Sequence, residues 1–277
     1  MNREEIPSTK EAEKVLEWGA YTDGDIANLG IFENLMGKEV DLYAEFKGWN
    51  ESFPVELTKE VGERGKTLVI FWEPSFGYDE IINGSKDAYI QEFAQSAKEY
   101  KHEVILSPFD EMNLNENDWG YGIHNNNAEK FKTAWIRIHN MFAGADNVKF
   151  VITYNNVSVP DISGNKIEDY YPGDEYVDYI GVDGFNFGDP WQTWESLFPI
   201  TLIDRLSSYK KPIYIMSTAT LPGPKKSEWI KDMGTGIHKY PQIVGFIWFN
   251  QKNKNENWLI NANQDNDALE IFRSILP

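Results

Sequence analysis

Short apolar runs recur along the chain, and segments with helical periodicity separate them. The runs that we interpret as strands are Glu17–Tyr21, Val40–Phe46, Thr67–Trp72, Glu103–Ser107, Val148–Thr153, Val177–Val182, Pro212–Met216 and Ile243–Phe249. Several are continuously apolar, as expected for parallel strands that are buried on both faces. Between strands, Asp87–Tyr100 carries its apolar residues on one helical face, and residues 131–142 repeat this pattern.

Eight strands that alternate with helices predict an α/β fold, a single (β/α)₈ TIM barrel that spans residues 1–277. The alternative is an open, doubly wound sheet. No glycine-rich phosphate-binding run follows the first strand, so nothing indicates a nucleotide-binding fold. We expect the N-terminal residues 1–15 to be peripheral to the barrel.

Charge and composition narrow the classes of partner. The net charge is −18, from 26 basic and 44 acidic side chains, which argues against nucleic acid. No stretch approaches the roughly 20 apolar residues of a membrane span, so no membrane partner is expected. Four scattered histidines and no cysteine indicate neither a metal nor another cofactor. Nothing demands a partner chain, so we expect a monomer.

The beginning of the chain, residues 1–5, lacks the apolar core of a signal peptide. The protein is therefore either cytoplasmic or has lost an export signal. We expect a secreted or cell-surface protein whose signal has been removed.

The predicted strand ends are rich in aromatic, amide and carboxyl groups and poor in cations. Active sites of (β/α)₈ barrels lie at the carboxyl ends of the strands. There, aromatic faces could stack on sugar rings, while amides and carboxylates bond hydroxyl groups. The candidate sugar-binding residues are Tyr21, Trp72, Glu73, Trp119, Phe185, Asn186, Trp248, Asn250 and Trp258.

Glu111 is the candidate catalytic acid. The fourth predicted strand runs into Asp110 and Glu111, and Trp119 follows in a turn-rich loop. A carboxyl group beside aromatic surface can protonate a glycosidic oxygen if apolar surroundings raise its pKa. Such chemistry needs a second carboxylate, and Asp183 and Asp110 are the candidates for the base, with Glu73 less favoured.

Three segments together resemble glycoside hydrolase family 26. They are Phe71-Trp72-Glu73-Pro74 with the Ile82-Asn83-Gly84 turn, Tyr171-Pro172-Gly173-Asp174 with Asp183-Gly184, and Ile247-Trp248-Phe249-Asn250 with Trp258-Leu259-Ile260-Asn261. Members of that family are (β/α)₈ enzymes that act on β-mannans, mixed-linkage β-glucans and related β-glycans. The resemblance implies a β-linked oligo- or polysaccharide partner and a general acid/base role for Glu111.

The chain departs from the family at the position of the catalytic nucleophile. The resemblance places Ser217 where the family carries a glutamate at the end of the seventh strand. A serine hydroxyl without a neighbouring base is not an equivalent nucleophile. Ser107, Asp110 and Phe185 also differ from the family pattern. A coordinated natural divergence of the site accounts for all four departures better than an engineered change at Ser217 alone.

Three hypotheses follow. The protein is a β-glycan hydrolase with a relocated base, a catalytically inactive glycan-binding protein, or an engineered nucleophile knockout of a retaining endo-β-glycanase. The last two strand segments resemble the glucan enzymes of the family, which slightly favours β-1,3-1,4-glucan over β-mannan as the substrate.

Overall fold

The computed structural model describes residues 16–262 and 266–277. The strands are β1 (Glu17–Tyr21), β2 (Leu42–Gly48), β3 (Thr67–Glu73), β4 (Val104–Pro108), β5 (Val148–Asn155), β6 (Tyr179–Asn186), β7 (Ile213–Thr220) and β8 (Ile243–Phe249). The helices are α1 (Ile26–Met36), α2 (Val55–Glu63), α3 (Asp79–Ile82), α4 (Asp87–Glu99), α5 (Ala128–Met141), α6 (Ile167–Tyr170), α7 (Trp194–Leu197), α8 (Ile200–Ser207), α9 (Lys226–Lys239) and α10 (Asn266–Ile275). Residues 1–15, which we expected to be peripheral, lie outside the described residues.

The strands form a closed parallel barrel in sequence order. Each strand pairs with the next, and β8 pairs with β1 from Glu17–Gly245 to Tyr21–Phe249. The predicted (β/α)₈ barrel is therefore confirmed, and the open sheet is excluded. Within the described residues, no helix is both long and apolar enough to cross a membrane.

Local sequence sets where several helices begin and end. The carboxylate of Asp25 accepts a hydrogen bond from the backbone N–H of Ala27 and so begins α1. The same helix ends at Gly37, whose φ of 69° suits a residue without a side chain. Asn127 begins α5 by accepting from the N–H of Lys130. These caps fix the helices that cover the sheet.

Alternate residues of each strand face two separate cores. The barrel interior is filled by Leu42, Ala44, Val69, Phe71, Ile105, Val151, Tyr214, Met216 and Ile247. Their neighbours in sequence pack outward against the helices, among them Tyr43, Ile70, Trp72, Ile152, Val182 and Trp248. Because the side-chain period of a strand is two, this alternation decides which residues at each strand end face the mouth of the barrel.

Strand β7 contains a bulge beside the mouth. Its pairing with β6 passes from Val182–Ile215 to Asp183–Ser217, so Met216 is skipped. Met216 packs in the barrel interior, and Ser217 then lies opposite Asp183, a residue of the inward-facing series of β6. Bulges of this kind redirect a side chain next to active sites. Here the bulge turns two successive residues of β7 toward the interior.

Candidate active site

Four carboxyl groups converge at the mouth of the barrel. Glu73 ends β3, Asp110 and Glu111 follow β4, and Asp183 lies in β6. Glu111 raises the pKa of Glu73 and of Asp183, and Asp110 is affected by both Glu73 and Glu111. Carboxylates influence one another in this way only when they are near neighbours. The structure therefore brings together the four acids at the predicted strand ends.

An unusual backbone conformation presents Asp110 and Glu111. Phe109 and Glu111, on either side of Asp110, have φ values of 61° and 55°. This left-handed region is unfavourable for residues with a side chain and persists only where the surroundings enforce it. The N–H of Glu111 donates to the carbonyl oxygen of Thr153 at 2.9 Å, and the ring of Phe109 is fully buried. The neighbouring strands thus hold the acid-bearing loop in a fixed shape.

The carboxyl group of Glu111 is half-buried and makes one strong hydrogen bond. Nδ2 of Asn155 donates to its Oε1 at 2.7 Å. Burial raises the pKa of Glu111, while the hydrogen bond from Asn155 and the charge of Glu116 act in opposite senses as smaller effects. A raised pKa keeps the proton on the carboxyl group nearer to neutral pH, as a general acid requires.

The other three acids are also shifted toward their protonated forms. Burial raises the pKa of Asp110 and of Asp183 well above the usual range, with neighbouring carboxylates adding to the effect. Burial and the charge of Glu111 raise the pKa of Glu73 to about 7. One carboxylate oxygen each of Asp110 and Asp183 is buried without a hydrogen-bond partner. Ionisation of one of these acids therefore disfavours ionisation of its neighbours.

Ser217 lies beside Asp183 at the carboxyl end of β7. Both side chains are nearly buried, at 5% and 3% exposure. The backbone N–H of Ser217 donates to the Asp183 carboxylate, which lowers the pKa of Asp183 slightly against the effect of burial. The structure thus places the residue at the expected nucleophile position next to an acid.

Two tryptophans that we expected at the sugar cleft lie elsewhere. Trp72 is fully buried, stacked between Trp49 at 4.2 Å and Phe93 at 4.3 Å between ring centroids. Trp248 is also fully buried and packs edge-on against Phe272 of α10 at 4.9 Å. Both rings face the helices because they belong to the outward series of their strands. Sugar binding by these two residues stays a prediction, and neither ring has exposed surface to support it.

Asn186 and Trp119 support the mouth from beneath. The side chain of Asn186 is fully buried, donates to Oγ1 of Thr220, and accepts from the N–H groups of Gly188 and Gln192. It shapes the loop after β6, and its contact with sugar stays a prediction that its burial does not support. Trp119 is 6% exposed, and its indole N–H donates to the carbonyl oxygen of Asp110 at 2.6 Å. Its observed contact is with the acid-bearing loop.

The remaining expected sugar-binding residues lie at or near the mouth. Tyr21 and Phe185 are half-buried, and both contact the ring of Phe249. Trp258 is 2% exposed and lies 5.3 Å from Phe185, so it packs against that ring and presents little surface of its own. Asn250 lines a separate cavity of about 320 Å³ beside α1. For these four residues, contact with sugar stays a prediction.

Three residues of the mouth had no assigned role in the sequence interpretation. Asn155 bonds Glu111, Phe249 lies between Tyr21 and Phe185, and Phe187 is 54% exposed. The period of two along β6 could have revealed Phe187, because Asp183, Phe185 and Phe187 are spaced by two. Phe249 pairs with Tyr21 in the register between β1 and β8, a contact that only the structure reveals.

Comparison with known families decides the relationship of this chain. The sequence profile described as glycosyl hydrolase family 26 matches residues 47–196, more than half of the chain. The chain belongs to this family. The resemblance inferred from the three segments is therefore confirmed, whereas the assignment of Ser217 to the nucleophile position stays a prediction.

Curated relatives include glucan- and mannan-degrading enzymes. Endoglucanase H of Acetivibrio thermocellus is 33% identical over an alignment of 260 residues that covers 88% of this chain and 28% of that protein. A mannan endo-1,4-beta-mannosidase of Bacillus subtilis is 25% identical over an alignment of 176 residues that covers 60% of this chain and 45% of the relative. The chain thus spans less than half the length of either protein.

Solved structures share the fold. The catalytic domain of an endo-beta-1,4-mannanase from Bacillus sp. JAMB-750 superposes with a TM-score of 0.75 at 15% identity, over 95% of this chain and 85% of the other. A beta-mannanase from Bacteroides ovatus gives a TM-score of 0.73 at 17% identity, over 95% and 88% of the two chains. At this level of identity the similarity concerns the barrel alone.

Proposed function

We propose that the protein hydrolyses β-linked polysaccharide, with Glu111 as the general acid and β-1,3-1,4-glucan favoured over β-mannan as substrate. The observation that carries the proposal is the half-buried Glu111 carboxyl at the barrel mouth, bonded by Asn155 and surrounded by three further acids. Family membership and the endoglucanase and mannosidase relatives support a glycosidase.

Asp183 is the base that we assign to this reaction. It is the acid that lies beside Ser217, at the position where the family resemblance places the nucleophile. Glu73 ends the strand next to the loop that carries Glu111, so it would approach a bound sugar from the side of the acid. Burial raises the pKa of Asp183 as well, so this role requires Asp183 to be ionised while Glu111 keeps its proton. Carboxyl groups that raise one another's pKa can divide the acid and base roles in this way.

The reaction then proceeds by direct displacement. Asp183 removes a proton from a water molecule beside Ser217 as the water oxygen bonds to the anomeric carbon. The glycosidic bond breaks, and Glu111 donates its proton to the departing oxygen. Exchange with solvent restores both groups. Attack by water in one step inverts the anomeric centre, and it calls for carboxyl groups about 6.5–9.5 Å apart.

Reducing-sugar release from mixed-linkage β-glucan and from β-mannan tests the proposal. We expect release by the unaltered chain, and at least a hundred-fold loss in Glu111→Gln and in Asp183→Asn, typical for a proton-transfer residue. The anomer first formed, followed by NMR, should be inverted. Asn156→Ala is the control, because Asn156 bonds the carbonyl oxygen of Leu197 rather than an acid.

Two other results would overturn this mechanism. Release that appears only in Ser217→Glu would indicate a retaining site that has lost its nucleophile. No release by any variant, together with measurable binding of oligosaccharide, would indicate a glycan-binding protein. The serine at position 217 specifically favours this second function.

A further inference from the structure

A buried asparagine, Asn113, lies in the turn that carries the catalytic acid. It follows Glu111 by two residues, and the backbone N–H of Leu114 closes the turn by donating to the carbonyl oxygen of Glu111 at 3.0 Å. The side chain of Asn113 is fully buried. A buried amide needs hydrogen-bond partners within the protein. The partners of this amide all lie at the end of β5 and in the loop that follows.

Both ends of the Asn113 amide bond the residue that holds Glu111. Oδ1 of Asn113 accepts from the backbone N–H of Asn155 at 2.9 Å, and Nδ2 donates to the carbonyl oxygen of Asn155 at 3.0 Å. The side chain of Asn155 in turn donates to Oε1 of Glu111 at 2.7 Å. Supporting hydrogen bonds of this kind lock the residues that contact a catalytic group. Asn113 thus determines where the amide that bonds the acid lies.

The same asparagine restrains the loop after β5. Its Nδ2 lies 3.0 Å from the carbonyl oxygen of Val157 and 3.3 Å from Oγ of Ser158. Its backbone carbonyl oxygen accepts from the N–H of Val159 at 2.9 Å. The side chains of Val157 and Val159 are exposed, so their burial does not hold this part of the loop. Hydrogen bonds to Asn113 supply the restraint instead.

A second buried asparagine supports the first from the far end of this loop. Nδ2 of Asn165 donates to the carbonyl oxygen of Asn113 at 3.1 Å and to that of Pro160 at 2.8 Å. Oδ1 of Asn165 accepts from the hydroxyl group of Tyr170 in α6. The ring of Tyr170 packs edge-on against Phe131 of α5. A chain of hydrogen bonds therefore connects the helical layer to the acid, through Tyr170, Asn165, Asn113, Asn155 and Glu111.

We propose that Asn113 is a positioning residue for Glu111, that it acts through Asn155, and that Asn165 supports it. The role of Glu111 as an acid rests on the proposed function. Because the side chains of Asn113 and Asn165 are fully buried, they act through their partners and not by contact with substrate. A general acid has to lie within hydrogen-bond distance of the departing oxygen, and a displacement of about 1 Å can lower the rate about a hundred-fold. The network keeps Glu111 within that tolerance.

Titration of the Glu111 carboxyl group provides the first test. Carbon-13 NMR of the full chain with labelled glutamate reports its pKa, and the signal is assigned by its loss in Glu111→Gln. Asn113→Leu keeps the size of the side chain but removes its hydrogen bonds. Because the bond from Asn155 lowers the pKa of Glu111, release of Asn155 should raise that pKa. An unchanged pKa would overturn the proposal.

A double variant tests whether Asn113 acts through Asn155. Asn113→Leu combined with Asn155→Ala should give the same pKa of Glu111 as Asn155→Ala alone, because both changes remove the same bond to the acid. Additive shifts would overturn this route. If Asn113→Leu does not fold, Asn165→Ala gives the test in a milder form. It removes the donor to the Asn113 carbonyl oxygen, so it should raise the pKa of Glu111 by a smaller amount.

Asn147→Leu is the matched control. Nδ2 of Asn147 also donates to three backbone carbonyl oxygens, those of Ala97, Tyr100 and His102. Asn147 precedes β5, at the opposite end of the barrel from the acids. Both leucine variants should lower the melting temperature, because buried acceptors lose their donor. The same shift in the pKa of Glu111 in both variants would mean that general loosening of the barrel is responsible, and would overturn the proposal.

Turnover separates loss of the acid's action from loss of the fold. Asn113→Leu should lower kcat on mixed-linkage β-glucan by about a hundred-fold with little change in KM. It should keep most of its rate on a dinitrophenyl glycoside of the same oligosaccharide, whose leaving group departs without a proton. Equal losses on the two substrates would overturn the proposal.

The two measurements also separate this proposal from the proposed function. A raised pKa of Glu111 in Asn113→Leu, with no cleavage by the unaltered chain, would overturn the proposed function and leave the network standing. Cleavage by the unaltered chain, with an unchanged pKa in Asn113→Leu, would do the reverse.

Discussion

Replacing Asn155 should raise the pKa of Glu111. Nδ2 of Asn155 donates to Glu111 Oε1 at 2.7 Å, and this bond stabilises the ionised carboxylate. A hydrogen bond to a charged group contributes about 1.5–3 kcal/mol. Asn155→Ala removes this stabilisation of the ionised form and should therefore raise the pKa of Glu111. The shift adds to the effect of burial.

The sign of this shift sets the expected pH dependence. A general acid works in its protonated form, so the alkaline limb of the pH–rate profile should move to higher pH in Asn155→Ala. Carbon-13 NMR of labelled glutamate carboxyl groups gives the same pKa without relying on turnover. Asn155 also accepts from the N–H of Val157. Asn155→Asp keeps an acceptor for that group while adding a charge, so it should raise the pKa further still.

An unchanged Glu111 titration in both variants would refute this reasoning. It would mean that burial alone sets the proton affinity of the acid. Asn156→Ala is the neighbouring control, because its amide bonds the carbonyl oxygen of Leu197 at 2.9 Å. Asn156→Ala should leave the pKa of Glu111 unchanged.

Three further predictions concern stability and binding. Because the pKa of Glu73 rises from 4.5 to about 7 on folding, the stability it contributes is complete below pH 4.5 and is lost as the pH rises through 7. In Glu73→Gln the melting temperature should therefore fall less between pH 5 and pH 8 than in the unaltered chain. The difference corresponds to up to about 3 kcal/mol in the free energy of unfolding. An unchanged pH dependence of the melting temperature would contradict this prediction. Gly181→Ala should cost about 1–3 kcal/mol in chemical unfolding, because its Cβ would lie 2.6 Å from two side chains of the barrel interior. Gly30→Ala, with nothing within 4 Å of its Cβ, should instead stabilise helix α1. Phe187→Ala should weaken oligosaccharide binding, measured by calorimetry, without lowering the melting temperature. Trp72→Ala should instead lower the melting temperature by an amount equivalent to about 3–5 kcal/mol. Equal losses of stability in the two variants would show that Phe187 is a packing residue.

The barrel itself was accessible from the sequence because each strand is a compact apolar run. The bounds of β1 and β8 match the predicted runs, Glu17–Tyr21 and Ile243–Phe249. Strands β6 and β7 extend four residues beyond their predicted ends, as far as Asn186 and Thr220. The polar residues near these ends signalled a loop, but pairing with neighbouring strands continues through them.

The direction in which each strand side chain points was harder to predict, because the continuous apolar runs that identify the strands do not show which residues face the barrel interior. A strand that is buried on both faces has no polar side to mark the alternation. The sequence interpretation selected Trp72 and Trp248 as sugar-binding residues, whereas their neighbours Glu73 and Phe249 face the mouth. A shift of one residue along a strand reverses the direction of the side chain. The bulge at Met216 adds a second reversal that no local pattern announces.

That bulge also bears on how the site can change over generations. The backbone already turns position 217 toward the interior beside Asp183, whatever side chain it carries. A single substitution there alters the chemistry of the mouth without any rebuilding of β7, while deletion of one residue from the bulge would turn position 217 toward the helices. The scaffold therefore makes the side chain at this position easy to vary and its direction difficult to lose.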